Sequence, residues 1–474
     1  MNRDLSPAPL LATPTRVRYG VLGFACALSC ITYLDRVCFA YASEPLKKAL
    51  DLQGVGDLKW AFTAFTISYA LFEIPSGWLG DVFGPRSTLI RIVLWWSTFT
   101  ALTGLVGMPV GGWFVGLGAL VTIRLLFGVG EAGAYPNITR ALHNWFPYVE
   151  RGVAQGSVWF AGRMMGGLTP FLWILLVERG EMSWRAAFWI FGGIGVLWCV
   201  AFASWFRNRP EEKPGVSAAE LEVIRAGRHD IGAAHSAVPW GRLVTSPNLW
   251  ALCLMYFCAS YGWYFNITYL PDFLNEQHHV DPKGWDGALY KGGPLWMGAF
   301  ACFLGGWLTD WFIRRTGNRK WGRRLFGVIG HAACALCYLA GLFAGGNVVL
   351  FFLAISLAAF WNDLTMGSAW ATCQDIGKRY AALVAGCMNT VGNLGGAAAG
   401  WLTGTILQHS VAAYEAAHGV VVADLPPAER AAALAAGHVA GYQINFITFA
   451  VVYGVAVLLW LRVDATQPVV PEEA

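Results

Sequence analysis

Apolar runs of about twenty residues, broken by short polar stretches, recur from one end of this chain to the other, and they leave few folds open. A helix needs roughly 20 mostly apolar residues to cross the hydrocarbon of a bilayer. Runs of that size fall near 18–42, 57–80, 88–108, 112–136, 152–178 and 184–206, and again near 246–272, 288–313, 323–344, 348–372, 379–407 and 437–462. Of the 474 residues 56% are hydrophobic and only 13% charged, against about 25% charged in a soluble domain. The fold class expected is an all-α membrane protein of twelve spans. The net charge of +4 gives no reason to expect a nucleic-acid partner; the lipid bilayer is the partner that composition demands. The eleven cysteines lie in apolar runs, where cysteine serves as a small hydrophobe, and they form no disulfide framework. The first run is long enough to span and lacks a cleavage site, so it reads as a helix and not as a removed signal.

The chain divides at its only long central polar stretch. Residues 1–206 form one six-span bundle, 207–245 a linker and 246–474 a second bundle. Within the linker, Ser217 and Glu220 stand at the spacing of a capping box, which predicts a short helix after Ser217. The stretch 408–436, with "LPPAERAAALAAG", predicts a separate short helix outside the membrane. Lysine and arginine crowd the loops on the side of the termini, which places both termini in the cytoplasm. The arginines of 314–324 fit that topology and a contact with anionic lipid.

Against this background a few charges stand out. Asp35 and Arg36 lie in mid-span one beside Tyr33; Arg124 and Glu131 lie in span four; Arg163 lies in "WFAGRMMGG" of span five. A charge at the bilayer centre costs on the order of 3 kcal/mol, so these side chains should face a shared wet cavity. Arg124 and Glu131 are nearly two turns apart on one helix face, about 10 Å along the axis. Asp35 and Arg36 point about 100° apart. Asp35 is therefore expected to meet Arg124 while Arg36 faces the cavity. An Asp35–Arg124 pair either staples helices or takes part in proton coupling. Glu131 either carries a proton in a dry cavity or only bonds a packing hydroxyl. Arg36 suits a substrate carboxylate through a bidentate fork. Arg163 either adds a second cation for the anion or snorkels to the surface. Glu73 lines the cavity or sits at the gate.

The second half is less charged. "FWNDLTMGSAWATC" offers Asn362, Asp363, Ser368, Trp370 and Thr372; "CMNTVGNLGG" offers Asn389 and Asn393 one turn apart. Amides and hydroxyls suit a polyol, and tryptophan suits its carbon skeleton; interhelical bonding in the membrane is the plain alternative. Two patterns carry nothing. The GxGxxG of Gly128–Gly133 lies inside a span and not after a strand. The His331, Cys334, Cys337 trio lacks a fourth ligand for zinc, so no metal is expected.

"GWLGDVFGPR" (77–86) ends span two, and "GGWLTDWFIRRTGNR" (305–319) ends span eight. Such internal repeats mark transporters with a site between the halves. With twelve spans and a central loop, this pattern resembles the major facilitator superfamily; Gly77, Leu79, Asp81, Gly84 and Arg86 match its loop motif, and Gly306, Leu308 and Asp310 its second copy. "YLDR" (33–36), "RLLFGVGEAGAYP" (124–136) and "CMNTVGNLGG" (387–396) look like the anion:cation symporter family, which includes galactonate, glucarate and hexuronate transporters. The resemblance implies two pseudo-symmetric bundles and a proton-coupled symporter, not an enzyme, importing a hexonate, hexarate or hexuronate. It places the coupled protons on Asp35 and Glu131, with Arg124 recapturing Asp35. It places substrate on Arg36, Tyr69, Trp370 and Asn389; the sequence itself adds Tyr33, Arg163, Ser368, Thr372 and Asn393 as candidates beside them. Sugar-acid relatives commonly carry glutamine where Arg163 stands. Asp81, Arg86 and Asp310 are implied at the gate. No cofactor beyond the proton is expected, and the chain is expected to be a monomer in a bacterial inner membrane. Exchange or uniport of another organic anion, such as a phosphate ester or aromatic acid, and a transporter-like receptor are the alternatives.

Overall fold

The computed structural model describes residues 13–52, 58–226, 238–280 and 285–470. Parts of the expected bundles (1–12, 53–57, 281–284 and 471–474) and of the linker (227–237) therefore lie outside the described residues. Among the described residues twelve long helical passes run in order: α1 Val17–Tyr41, α2 Lys59–Phe83, α3 Pro85–Thr103, α4 Leu117–Glu131 continued by Ala134–Trp145, α5 Arg151–Trp173, α6 Trp184–Trp205, α7 Pro247–Thr268, α8 Trp285–Thr316, α9 Arg319–Leu342, α10 Val348–Leu364 continued by Met366–Gly377, α11 Ala381–His418 and α12 Pro427–Arg462. Seven helical stretches are long and apolar enough to span a bilayer on length and composition alone, one of them holding α10 and α11 together. The remaining passes, α2, α3, α7 and α8, fall short of that test and are placed by packing among the others.

Among the described residues the first and last segments and the flanks of the central stretch lie on one face. Ser217 caps the helix Ala218–Arg225 through the Glu220 amide at 3.2 Å, as the spacing predicts. Glu220 does not reach back to its own cap. Its carboxylate instead accepts from the Val17 and Arg18 amides, the Thr15 hydroxyl and the Arg18 guanidinium. At the other end, Asn248 donates to the Asp464 carbonyl and the Val469 amide to that of Ile376. We call this the terminal face.

Three expected boundaries change. α4 does not stop at 136; it breaks after Glu131 and resumes to Trp145. Gly133 sits at the break with φ +86°, a left-handed conformation that glycine adopts without strain, and a Cβ there would press on Ser76 at 2.2 Å. Pro136 is harmless in the first turn of the new segment, where its missing amide hydrogen has no helical partner. α10 breaks at the corresponding place, Thr365. The polar stretch 408–436 is no separate helix: α11 continues to His418, and "PAERAAALAAG" is the first part of α12.

The two sets of six helices meet closely along α5–α8 and α2–α11. Small residues allow this. A Cβ on Gly306 of α8 would lie 2.2 Å from the Gly152 carbonyl oxygen of α5, and one on Gly77 of α2 would lie 2.6 Å from the Ala382 oxygen of α11. Gly306→Val is expected to cost about 1–3 kcal/mol by overpacking, read as a lower unfolding midpoint of the purified protein. Gly193→Val in α6, with open space around it, should leave the midpoint unchanged.

Candidate functional site

The mid-membrane charges divide into two sets, one within the first half and one between the halves. In the first half Arg36 of α1 binds Glu131 of α4, with Nε 2.8 Å from Oε1. Glu131 is fully buried, whereas the Arg36 side chain is 30% exposed. The Arg36 guanidinium lies 4.5 Å from the Tyr69 ring centre, a cation–π contact. Glu131 therefore has a fixed cation, contrary to the cavity-facing acid without one. Asp35 also departs from expectation. It is buried against Trp96 and Thr100 of α3, with Arg124 near, but among the described residues it forms no ion pair. Arg124 is held by three aromatic faces: Phe39 at 4.0 Å, Phe127 at 4.6 Å and Phe65 at 4.7 Å. The helix break beside Glu131 is a feature that membrane transporters reserve for cavities.

In the second set Arg163 of α5 makes a two-pronged pair with Asp363 of α10, at 2.8 and 2.9 Å, both groups buried. The pair crosses between the halves, so Arg163 does not snorkel. Trp263 of α7 stacks on the guanidinium at 3.9 Å, and Asn362, itself held by Tyr453, donates to Asp363 at 3.0 Å. Tyr33 stands between Arg36 and Arg163, half-buried against Gly162 and Gly166.

Below these pairs, toward the terminal face, an aromatic floor closes the centre. Tyr135 stacks on Trp159 at 4.4 Å; both meet Trp370, at 5.9 and 5.2 Å, and Trp370 donates to the Tyr256 hydroxyl at 3.2 Å. All four are buried. The Arg36 side chain, unlike these four, stays partly exposed. Several expected substrate contacts are engaged elsewhere. Ser368 bonds Thr309 at 2.7 Å and Thr372 bonds the Ser368 carbonyl, both fully buried. Trp370 is part of the floor. Asn389 and Asn393 of α11 both donate to Glu73 of α2, beside Tyr69.

The terminal face is shut by two equivalent devices. Asp81 of α2 accepts the Ala382 and Leu383 amides at the start of α11, at 3.2 and 2.8 Å, with Arg140 at 3.6 Å. Asp310 of α8 accepts the Gly152 and Val153 amides at the start of α5, at 3.1 and 2.7 Å. Each carboxylate thus caps a helix of the opposite half and meets the positive end of its dipole. Arg86 is not at this seam; it donates to the Ala203 carbonyl and braces α6 within its own half. Residues that sequence reading missed complete the seam. Arg323, fully buried, joins Asp310 and Asp375 at 3.0 Å each, and Arg151 joins Asp375 at 2.8 Å. In the sequence Arg323 belongs to the basic cluster of 314–324, which reads as a topology signal. It stands at the very start of the apolar run of α9, next to Arg324, and nothing in the sequence sets it apart from its basic neighbours. His331 accepts from Trp460 at 3.1 Å. Among the described residues no group of three His, Cys, Asp or Glu could hold a metal ion.

Residues 25–400 match the family model described as Major Facilitator Superfamily, and the chain belongs to that superfamily. It is an integral membrane protein of a transporter fold, not an enzyme. It is 33% identical over 376 residues to the probable sulfoacetate transporter SauU of Cupriavidus necator, covering 79% of this chain and 84% of that one. It is 29% identical over 425 residues to the probable galactarate/D-glucarate transporter GudP of Escherichia coli, covering 82% and 88%. The proton:xylose symporter XylE, solved with a bromodeoxyglucose bound, superposes with a TM-score of 0.66 over 94% of this chain and 95% of that one, at 15% identity.

Removing one partner of a buried, hydrogen-bonded charge pair costs about 3–5 kcal/mol. Asp310→Ala should therefore loosen the terminal face. Cys373, fully buried beyond the floor, should be alkylated severalfold faster in this variant by a water-soluble maleimide, as read by peptide mass mapping.

Proposed function

We propose that the protein is a proton-coupled importer of a small organic anion, working by alternating access. The observation that carries the reading is the Arg36–Glu131 pair: a partly exposed arginine side chain held by a buried carboxylate at the centre of the membrane. An incoming carboxylate or sulfonate competes with Glu131 for the same donors. Once displaced, Glu131 is a buried acid without a cation, and a proton neutralises it at less cost than leaving it charged. Anion and proton thus enter together. Asp35, already without an ion pair, is the second coupling site in this reading. The bundles 1–206 and 246–474 rock about the linker 207–245, and the seam at Asp81 and Asp310 opens to release the cargo. The terminal face is the cytoplasmic one, in a bacterial inner membrane. The protein works as a monomer, with the proton as its only cofactor.

Sugar acids, hexonates, hexarates or hexuronates, are the first class to test. The likeness to GudP supports this. A second reading is a short anion with few hydroxyls, carried by exchange, uniport or symport. Two observations favour it: Ser368 and Thr372 are buried away from Arg36, and the relative SauU is named for sulfoacetate. Arg163 bears on both, since a second acidic group would have to take it from Asp363.

The test is uptake into proteoliposomes of D-galactonate, D-glucarate, D-glucuronate and sulfoacetate, with the lumen more alkaline than the bath. At least one should accumulate, and a protonophore should collapse the gradient. Arg36→Lys, which loses the planar fork, should lower uptake about tenfold or more. Glu131→Gln should lose accumulation driven by the pH gradient yet retain exchange of labelled for unlabelled anion. If a pH gradient drives none of these anions, the reading is wrong. Arg163→Gln should abolish binding of the two-acid substrates alone if that arginine grips a second acidic group.

A further inference from the structure

Glu73 lies in α2, fully buried, where α2 crosses α11 of the other half. Its carboxylate accepts from Asn389, from Asn393 at 3.1 Å and from the Thr390 hydroxyl at 3.4 Å. All three belong to α11, and all are neutral. Among the described residues no lysine, arginine or histidine lies within ion-pairing distance of it. The titratable groups that face it are Tyr69 one turn away on α2, Arg36 from α1 and Tyr264 from α7. Arg36 is the only cation of these, and its guanidinium is taken by Glu131 of α4 at 2.8 Å. Arg124, the other cation of α4, is enclosed by phenylalanines.

The charges of this region do not balance. Two buried or half-buried cations, Arg36 and Arg124, face three carboxylates, Asp35, Glu73 and Glu131. Ionising all three leaves a net negative charge in a dry interior, which is strongly unfavourable. One of them must hold a proton. Glu131 has its arginine, and Asp35, though it forms no ion pair, feels the charge of Arg124. Glu73 has only amides and hydroxyls, groups that serve a neutral acid as well as an ion.

We propose that Glu73 is a further proton site, distinct from the Arg36–Glu131 pair, which is occupied while α2 and α11 are closed and emptied when they part. Every partner it has across the seam leaves with α11. Separation therefore exchanges three protein donors for water, and an acid facing water releases its proton. Glu73 lies in the same α2–α11 crossing as Asp81, which caps α11 two turns further on. Opening of the terminal face and discharge of Glu73 are then one event. The proposal rests on the proton-coupled reading for its transport consequence, but not for the protonation itself.

Two measurements test it. Infrared spectra of the reconstituted protein without substrate, taken as difference spectra between acidic and alkaline buffer, should show a protonated-carboxyl band that Glu73→Gln lacks and Glu131→Gln keeps. Glu73→Gln keeps the size of the side chain and can still accept from the amides, and Glu73→Asp, which should shift the band and not remove it, guards against a misfolded variant. A band unchanged in Glu73→Gln overturns the proposal. In proteoliposomes loaded with whichever of the four anions accumulates, loss of one coupled proton should lower the accumulation supported by a pH difference of about one unit by about tenfold. Accumulation equal to wild type in Glu73→Gln overturns the transport consequence. If wild type itself fails to accumulate, the proton-coupled reading fails, while the infrared result still decides Glu73.

Discussion

Every ionised group set in the middle of a membrane has to find its counter-charge within the protein. This constraint organises the whole structure. Lipid offers nothing to Arg36, Arg163 or Arg323, and each is fixed by carboxylates from other helices. Because a buried guanidinium cannot shed its proton, these arginines are permanent, and all adjustment falls on the acids. An acid between an arginine, a proton and an incoming anion has more than one way to be neutral. Those alternatives of similar energy are what an alternating machine requires.

The pairs differ in where they lie, and this sorts their roles. Arg36–Glu131 stays within the first half and touches open space. It can respond to a ligand without moving the halves. Arg163–Asp363 crosses between halves at mid-membrane and is sealed. The lattice of Arg151, Asp310, Arg323 and Asp375 crosses at the terminal face, where the carboxylates also cap helices. Binding at the first pair reaches the last only through the rigid helices between them. α5 and α8 lie close enough, with glycines at the crossing, that neither tolerates a side chain there.

Much of the fold was legible because length and apolarity are what a bilayer selects. The helix breaks in α4 and α10 were not. The second segment of α4, with "NITRALHNW", is polar enough to read as loop, and it is helical because it packs between the halves. α11 and α12 outran their apolar runs because alanine-rich sequence continues a helix into water at little cost. At the site, the sequence located Arg36, Glu131, Arg124 and Asp35 in one neighbourhood but exchanged the partners. Which acid meets which arginine depends on small rotations of α1 and α4, and a spacing of 100° per residue does not resolve them. Asp363 and Glu73 were seen only as open alternatives, since their partners sit in the other half, some 200 to 320 positions away in the chain.

The floor made by Tyr135, Trp159 and Trp370 is unlike every other closure in the molecule. Its contacts between the halves are ring against ring, with the Arg163 guanidinium 5.9 Å over the Trp159 face. Acid, which acts on the aspartate seam beneath it, finds no carboxylate among these rings. The centre is thus barred twice by unlike means, carboxylates on backbone amides in the outer bolt and stacked rings in the inner one.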